Sequence, residues 1–327
     1  MRAFEFVTAR TASAAREAHG GRPGAHFLAG GTTLVDLMKA DVARPDVVID
    51  INALPLAGVD TAGDRVRIGA LARNSDVAYD ETIAREFPAL VQALLSGASG
   101  QIRNMATIGG NLLQRTRCTY FREPQYACNK REPGSGCDAL DGFNRTHAVL
   151  GTSDACIATH ASDMAVALAA LEANVIVQTA SGERVIALES FYTQPGRQPD
   201  RETTLAHGDL IVGIEIERSA LHRRSHYLKL RDRASYEFAL VSAAVALESD
   251  GPVIRSARIA LGGVATVPWR ARDAEALLAG ATAGEDAFRR AADAALAGAV
   301  ARKYNGFKIE LAKRAIVRAL STVAQAS

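Results

Sequence analysis

The sequence predicts an α+β fold in two domains, on three observations. The chain has 327 residues, and compact domains run about 100–200 residues each. Its first 50 residues alternate helical and β-branched segments, as a small α/β unit does. Its last third reads as a run of strands followed by a run of helices, the order of an α+β domain. Composition limits what such a protein can be. Hydrophobic residues are 48% and charged residues 23%, enough apolar material for a sizeable core and against disorder. Lys plus Arg is 38 and Asp plus Glu is 36, a net charge of +2, so nucleic-acid binding driven by phosphate neutralisation is not expected. No stretch reaches the ~18 consecutive apolar residues of a membrane helix. The opening MRAFEFVTARTASAAREAHGG lacks the apolar core of a signal peptide.

The elements follow in order. Thr11 to His19 is Ala-rich and is followed by Gly20-Gly21, a helix with a glycine stop. Phe27 and Leu28 end a short apolar stretch, and Leu34, Val35, Leu37 and Met38 have helical spacing. Asp46 to Ile51 (DVVIDI) reads as a buried strand, and Arg65 to Leu71 as an alternating one. Asn74 and Ser75 open a helix predicted over Val77 to Leu95. Asn104 to Leu112 is Gly-rich, and residues 114–156 are polar and rich in Pro and Gly. Ser162 caps an apolar helix, Met164 to Leu171. Strands are predicted at Val175 to Gln178, Arg184 to Leu188 and Leu210 to Ile216, with a loop at Gln194 to His207. The tail has strands at 226–231, 237–247 and 254–262, then helices within 270–280, 284–302 and 308–323.

Two loops carry a Gly-Gly core: Leu28-Ala29-Gly30-Gly31-Thr32-Thr33-Leu34 and Thr107-Ile108-Gly109-Gly110-Asn111-Leu112. Glycine lets backbone N–H groups approach a phosphate closely, and the Thr and Asn side chains add donors. Two such loops suit a pyrophosphate joining two nucleotide halves; a pair of tight turns is the alternative. No G-x-G-x-x-G or P-loop is present, so a Rossmann dinucleotide fold is not supported.

All four cysteines, Cys118, Cys128, Cys137 and Cys156, fall in one 39-residue window. Disulfides need an oxidising compartment, and a chain of this size does not need staples. Structural zinc usually shows close C-x₂₋₄-C pairs, which are missing. An iron–sulfur cluster needs four converging thiolates and tolerates loose spacing when a loop wraps it. Pro124, Pro133, Gly134 and Gly136 permit such wrapping, and Arg122, Lys130 and Arg131 could offset its charge. From spacing alone all three readings stay open. The histidines His19, His26, His147, His207, His222 and His226 show no ligand spacing and read as surface or satisfied core residues, His160 could touch a phosphate, and Trp269 reads as packing.

Together, the two loops, the cysteine window and Ser162-Asp163-Met164 resemble, over essentially the whole chain, the flavin-binding medium subunit of molybdenum hydroxylases. That group includes xanthine dehydrogenase, carbon monoxide dehydrogenase and aldehyde oxidoreductases. Its AGGT and TIGGN motifs stand unaltered at Ala29–Thr32 and Thr107–Asn111. The resemblance implies an FAD-binding domain of the PCMH/vanillyl-alcohol-oxidase type over residues 1–218, with subdomains 1–55 and 56–218, and a CO-dehydrogenase-flavoprotein-like α+β domain over 222–327. The cysteine insertion, at about 114–157, is similar to one in hydroxybenzoyl-CoA reductases and in bacterial periplasmic aldehyde oxidoreductases, closest to the latter. It implies a [4Fe–4S] cluster on Cys118, Cys128, Cys137 and Cys156.

Residue by residue, the resemblance implies that Leu28, Ala29, Gly30, Gly31, Thr32, Thr33, Leu34, Thr107, Gly109, Gly110 and Asn111 hold the pyrophosphate and adenosine side of FAD, with Gln114 beside them. Asp163 would accept hydrogen bonds from flavin hydroxyls, Ile214 would make an apolar contact, and Lys229 would lie by the isoalloxazine. The departures are Ala161 in place of a usual Pro and Tyr236-Glu237 in place of an aromatic-Asp pair, and the loop 192–204 over the flavin is variable. The implied role is electron transfer, with FAD receiving electrons from two [2Fe–2S] clusters of a small partner after a large molybdenum-cofactor subunit oxidises an aldehyde to a carboxylic acid. The chain alone would not oxidise aldehydes and would have no catalytic side chain of its own. Co-export to the periplasm with a signal-bearing partner is implied; otherwise the location is cytoplasmic. A hydroxybenzoyl-CoA-reductase-type subunit, a stand-alone FAD oxidoreductase and a zinc-stabilised binding protein are the rivals.

Overall fold

The computed structural model describes residues 1–325. Three sheets organise the described residues. The first is a parallel sheet in which Val47–Asp50 lies between Glu5–Thr8 and Ala25–Leu28. Val47, Val48 and Ile49 are all buried, as a central parallel strand requires. The helix Ala12–His19 packs on it, capped by Thr11 Oγ1 and stopped at Gly20, whose φ of 55° is left-handed.

The second sheet is antiparallel, in the order Val59–Asp60, Arg65–Gly69, Leu210–Glu217, Asn174–Thr179, Gly182–Ala187. The predicted helix over Val77 to Leu95 is instead three: Asn74–Ala78, Glu81–Glu86 and Pro88–Ser96. Asp80 breaks the first by capping the second, accepting from Thr82 N–H and Ile83 N–H. Pro88 has no N–H and starts the third. A helix Gly100–Met105, capped by Ser99, leads into the Gly-rich segment, which itself holds the helix Ile108–Leu112, capped by Thr107.

The third sheet pairs Ser225–Leu230, Val241–Asp250, Val253–Gly262 and Trp269–Arg270. Its middle strand starts at Val241, four residues later than predicted, because residues 231–240 turn away in a loop. The helix predicted within 284–302 covers Glu285–Ala295. The alternation of this sheet splits its side chains between two cores. Ala243, Val245, Leu247, Ile259 and Leu261 face helices Arg272–Leu278, Glu285–Ala295 and Phe307–Gln325. Ala244, Ala260 and Tyr227 face the other way, onto the helix Asp163–Ala170. That helix is buried almost throughout. It fits because the facing positions are small: a Cβ on Gly262 would stand 2.5 Å from Val166 Cγ2.

Candidate functional site

The two glycine loops come together because a glycine lies where their backbones touch. A Cβ on Gly30 would fall 1.8 Å from the carbonyl oxygen of Met105. Arg73 donates to that same carbonyl, and Asn52 Nδ2 donates to Ala29 O at 3.0 Å, fixing the first loop. Gly31 adopts φ 73°, a left-handed conformation that glycine takes without strain. The second loop docks through Gly109 N–H to Ala70 O at 2.8 Å.

These loops wall two neighbouring cavities of about 650 and 570 Å³, the size range of ligand sites. Ala29, Gly30, Gly31, Leu34, Thr107 and Gly109 line the first. Asn111, Gln114, Asp163 and Lys229 line the second. Thr32, Thr33 and Gly110 line both, so the cavities share the Gly-Thr wall. Of the remaining residues expected to contact FAD, Leu28 and Ile214 line neither cavity. Ile214 is fully buried in the core, paired with Ile68 and Val175 across the sheet. Sequence reasoning missed Ile211 and Arg103 as lining residues; one sits in an ordinary strand pattern and the other between the predicted helix and the Gly-rich segment.

The second cavity has a charged floor. Lys229 Nζ lies 2.7 Å from Asp163 Oδ2, their side chains 4% and 10% exposed. Lys229 also donates to Ser96 O at 3.1 Å, and Tyr227 donates its hydroxyl to Asp163 Oδ1. Burial, and then the adjacent Asp163 charge, push the Tyr227 hydroxyl well above its ordinary pKa, so it stays a donor. A network runs from Ser162 Oγ to Asn111 Oδ1 at 2.7 Å, and Gln114 Nε2 donates to the same oxygen at 2.6 Å. Tyr236, one of the departures from the family pattern, lines this cavity at φ 55°.

The four cysteines gather in one apolar nest with Leu37, Phe121, Ile157 and Ala158. None of the four is in a disulfide. Cys128 and Cys137 bridge as antiparallel residues across a turn in which Gly134 and Gly136 have φ of 87° and 101°. Asn129 Oδ1 accepts from both glycine N–H groups and holds that turn. The Ala158 N–H donates to Cys156 Sγ at 3.4 Å, and the backbone amides of Phe121 and Ala139 work against burial in favour of the Cys118 and Cys137 thiolates. Burial pushes the Cys118 thiol up to about 12 and Cys156 to about 11. A metal that claims them as thiolates must therefore displace protons. Among the described residues, no three His, Cys, Asp or Glu side chains form a group suited to a single metal ion.

The cations expected to offset cluster charge have other partners. Arg122 and Arg117 pair with Asp36. Arg131 donates to the carbonyls of Tyr120 and Phe121. Lys130 bonds Glu202 Oε1 at 2.9 Å and Pro199 O at 2.8 Å, tying the cysteine segment to the loop beside the first cavity, while its charge favours the Cys156 thiolate.

Two histidine readings change. His19 is buried with Nδ1 unpartnered and lines the first cavity with His26 and His207. His147 is buried with Nε2 3.1 Å from Cys118 Sγ. His160 lines a smaller cavity of about 220 Å³ that also touches Cys156 and Gln114, its ring edge-on to Tyr192. Burial lowers His160 to about 4, outweighing the Glu202 charge. A folded pKa below the unfolded value of ~6.5 means that the unfolded chain binds more protons as pH falls. Stability is therefore full above about pH 6.5 and declines towards pH 4, by up to about 3 kcal/mol from this group. Thermal unfolding from pH 7 to 4 should show His160→Phe losing less than the parent; an unchanged slope counts against this assignment.

The arrangement matches known proteins. The FAD-binding domain of molybdopterin dehydrogenases matches residues 2–218. This chain belongs to that family. The CO dehydrogenase flavoprotein C-terminal domain matches residues 226–323. The chain is 48% identical over 324 residues, 98% of each chain, to the aldehyde oxidoreductase FAD-binding subunit PaoB of Escherichia coli. It is 29% identical to the glyceraldehyde dehydrogenase medium chain of Sulfolobus acidocaldarius, over 86% of this chain and 83% of that one. Among solved structures, a chain of carbon monoxide dehydrogenase from Hydrogenophaga pseudoflava superposes with a TM-score of 0.78 at 26% identity, covering 99% of this chain and 98% of that one. The chain is thus an FAD-binding oxidoreductase subunit. Its cleft fits that cofactor: the close approach at Gly30 leaves no room for a side chain, and donors line the shared wall.

Proposed function

We propose that this chain is the FAD- and [4Fe–4S]-bearing medium subunit of a molybdenum aldehyde oxidoreductase, built with one large molybdenum subunit and one small 2×[2Fe–2S] subunit. The observation that carries the reading is the four-cysteine nest, in a chain 48% identical to an aldehyde oxidoreductase subunit along its length. The glyceraldehyde dehydrogenase relative supports the aldehyde class. FAD, when bound, supplies a carrier that accepts and releases one or two electrons. The chain's own residues bind and orient it. Gly30, Gly31, Thr32 and Gly110 would hold the pyrophosphate, and Asn111, Gln114 and Asp163 would offer polar contacts. Lys229 would place positive charge where negative charge grows on reduction. Cys118, Cys128, Cys137 and Cys156 would hold the cluster, with the Ala158 N–H on Cys156 Sγ supporting thiolate charge. Export to the periplasm, in a folded state and on a signal carried by a partner, completes the reading; fractionation of the native host tests it.

An anaerobic absorption spectrum with iron, zinc and sulfide assays on one sample tests the core of the proposal. A flavin band near about 450 nm over broad cluster absorption, with about four iron and four sulfide per chain, is expected. Flavin without iron would remove the cluster from the proposal and leave an FAD-binding subunit without it. Zinc without flavin would sink the proposal.

A further inference from the structure

Among the described residues, one side chain is hydrogen-bonded to a cysteine sulfur: His147, through Nε2 at 3.1 Å from Cys118 Sγ. The imidazole is 3% exposed, and its Nδ1 is buried with no partner. Its position is fixed from several sides. The His147 N–H donates to Asn144 O at 3.0 Å. Its carbonyl accepts from Lys308 Nζ at 3.0 Å and from Asn305 Nδ2 at 3.4 Å. Lys308 is fully buried and also donates to the carbonyls of Thr146 and Gly263. The C-terminal domain therefore holds this histidine in place. Tyr120 packs against the ring at 6.0 Å between centroids.

We infer that His147 is a positioning and tuning residue that donates Nε2–H to the Cys118 thiolate and raises the reduction potential of the cluster; this rests on the cluster reading above. A thiolate ligand has no proton, so it accepts only, which places the imidazole proton on Nε2. An N–H donor withdraws charge from the ligand sulfur and so stabilises the reduced, more negative cluster. Because His147 touches a ligand and not the iron, its loss should move the potential without emptying the site.

The test is a redox titration of the assembled complex, followed by the electron paramagnetic resonance signal of the reduced cluster. His147→Phe should retain about four irons and shift the midpoint to a more negative value. His147→Gln, which restores an N–H donor, should return it towards the parent. If His147→Phe loses its iron, ¹⁵N-histidine labelling of the unmutated complex decides: a hyperfine coupling from one histidine nitrogen is expected, and its absence overturns the inference. A full cluster with an unmoved potential overturns the inference and leaves the cluster reading standing. An iron-free parent overturns both.

Discussion

Gly30→Ala is expected to strip FAD from the protein. The added Cβ would lie 1.8 Å from Met105 O and 2.7 Å from its carbonyl carbon. Both are backbone atoms, so no rotamer change relieves the clash, and the two glycine loops must separate. Overpacking of this kind costs about 1–3 kcal/mol. The displacement falls on the wall shared by both cavities, so FAD affinity should drop at least tenfold, about 1.4 kcal/mol. Gly100→Ala is the control. Its Cβ would meet nothing within 4 Å, in the first turn of a helix, so it should be neutral or slightly stabilising. Flavin retained per chain after gel filtration, with Tm beside it, reads the result. Full flavin at an unchanged Tm in Gly30→Ala would show that this contact does not shape the site.

Lys229→Met should be the most destabilising change in the cleft. Removing one partner of a buried pair leaves an uncompensated charge, at about 3–5 kcal/mol, and here that charge is Asp163, 10% exposed. Tyr227 still donates to Asp163 Oδ1, which holds the loss towards the lower end. The double variant Lys229→Met with Asp163→Asn should recover part of it, since no bare charge remains. Chemical denaturation of the FAD-free forms of the four proteins gives the coupling directly. A single variant as stable as its parent would mean that water entering the cavity already solvates Asp163.

Much of the fold was legible because its signals are local. The helix Ala12–His19 stops at Gly20, the helix Asp163–Ala170 begins at its Ser162 cap, and the strand Val47–Asp50 is a β-branched run. Each depends on residues within one turn or one strand. The breaks within 74–96 were in the sequence too, since Asp80 and Pro88 announce them. There a strong apolar pattern outweighed the breakers in the reading. The glycine motifs and the cysteine window identify the family because both are short and contiguous.

The site residues were less legible, since distance in sequence hides contact in space. Ile214 reads as a strand residue by a flavin and lies in the core, while Ile211, three residues earlier, lines the cavity. Strand alternation offers two faces and does not say which one faces a ligand. His147 has no ligand spacing, yet Lys308, 161 residues further on, holds its carbonyl beside Cys118. The sequence by itself determined the element types, the paired glycine loops and the four thiols. Only the tertiary structure decided that Gly30 meets Met105, that Lys229 meets Asp163, and that a histidine from a featureless stretch reaches a cysteine sulfur. Element type follows from the local backbone and from the period of apolar residues. Those pairings follow from close packing between distant segments, which no local pattern encodes.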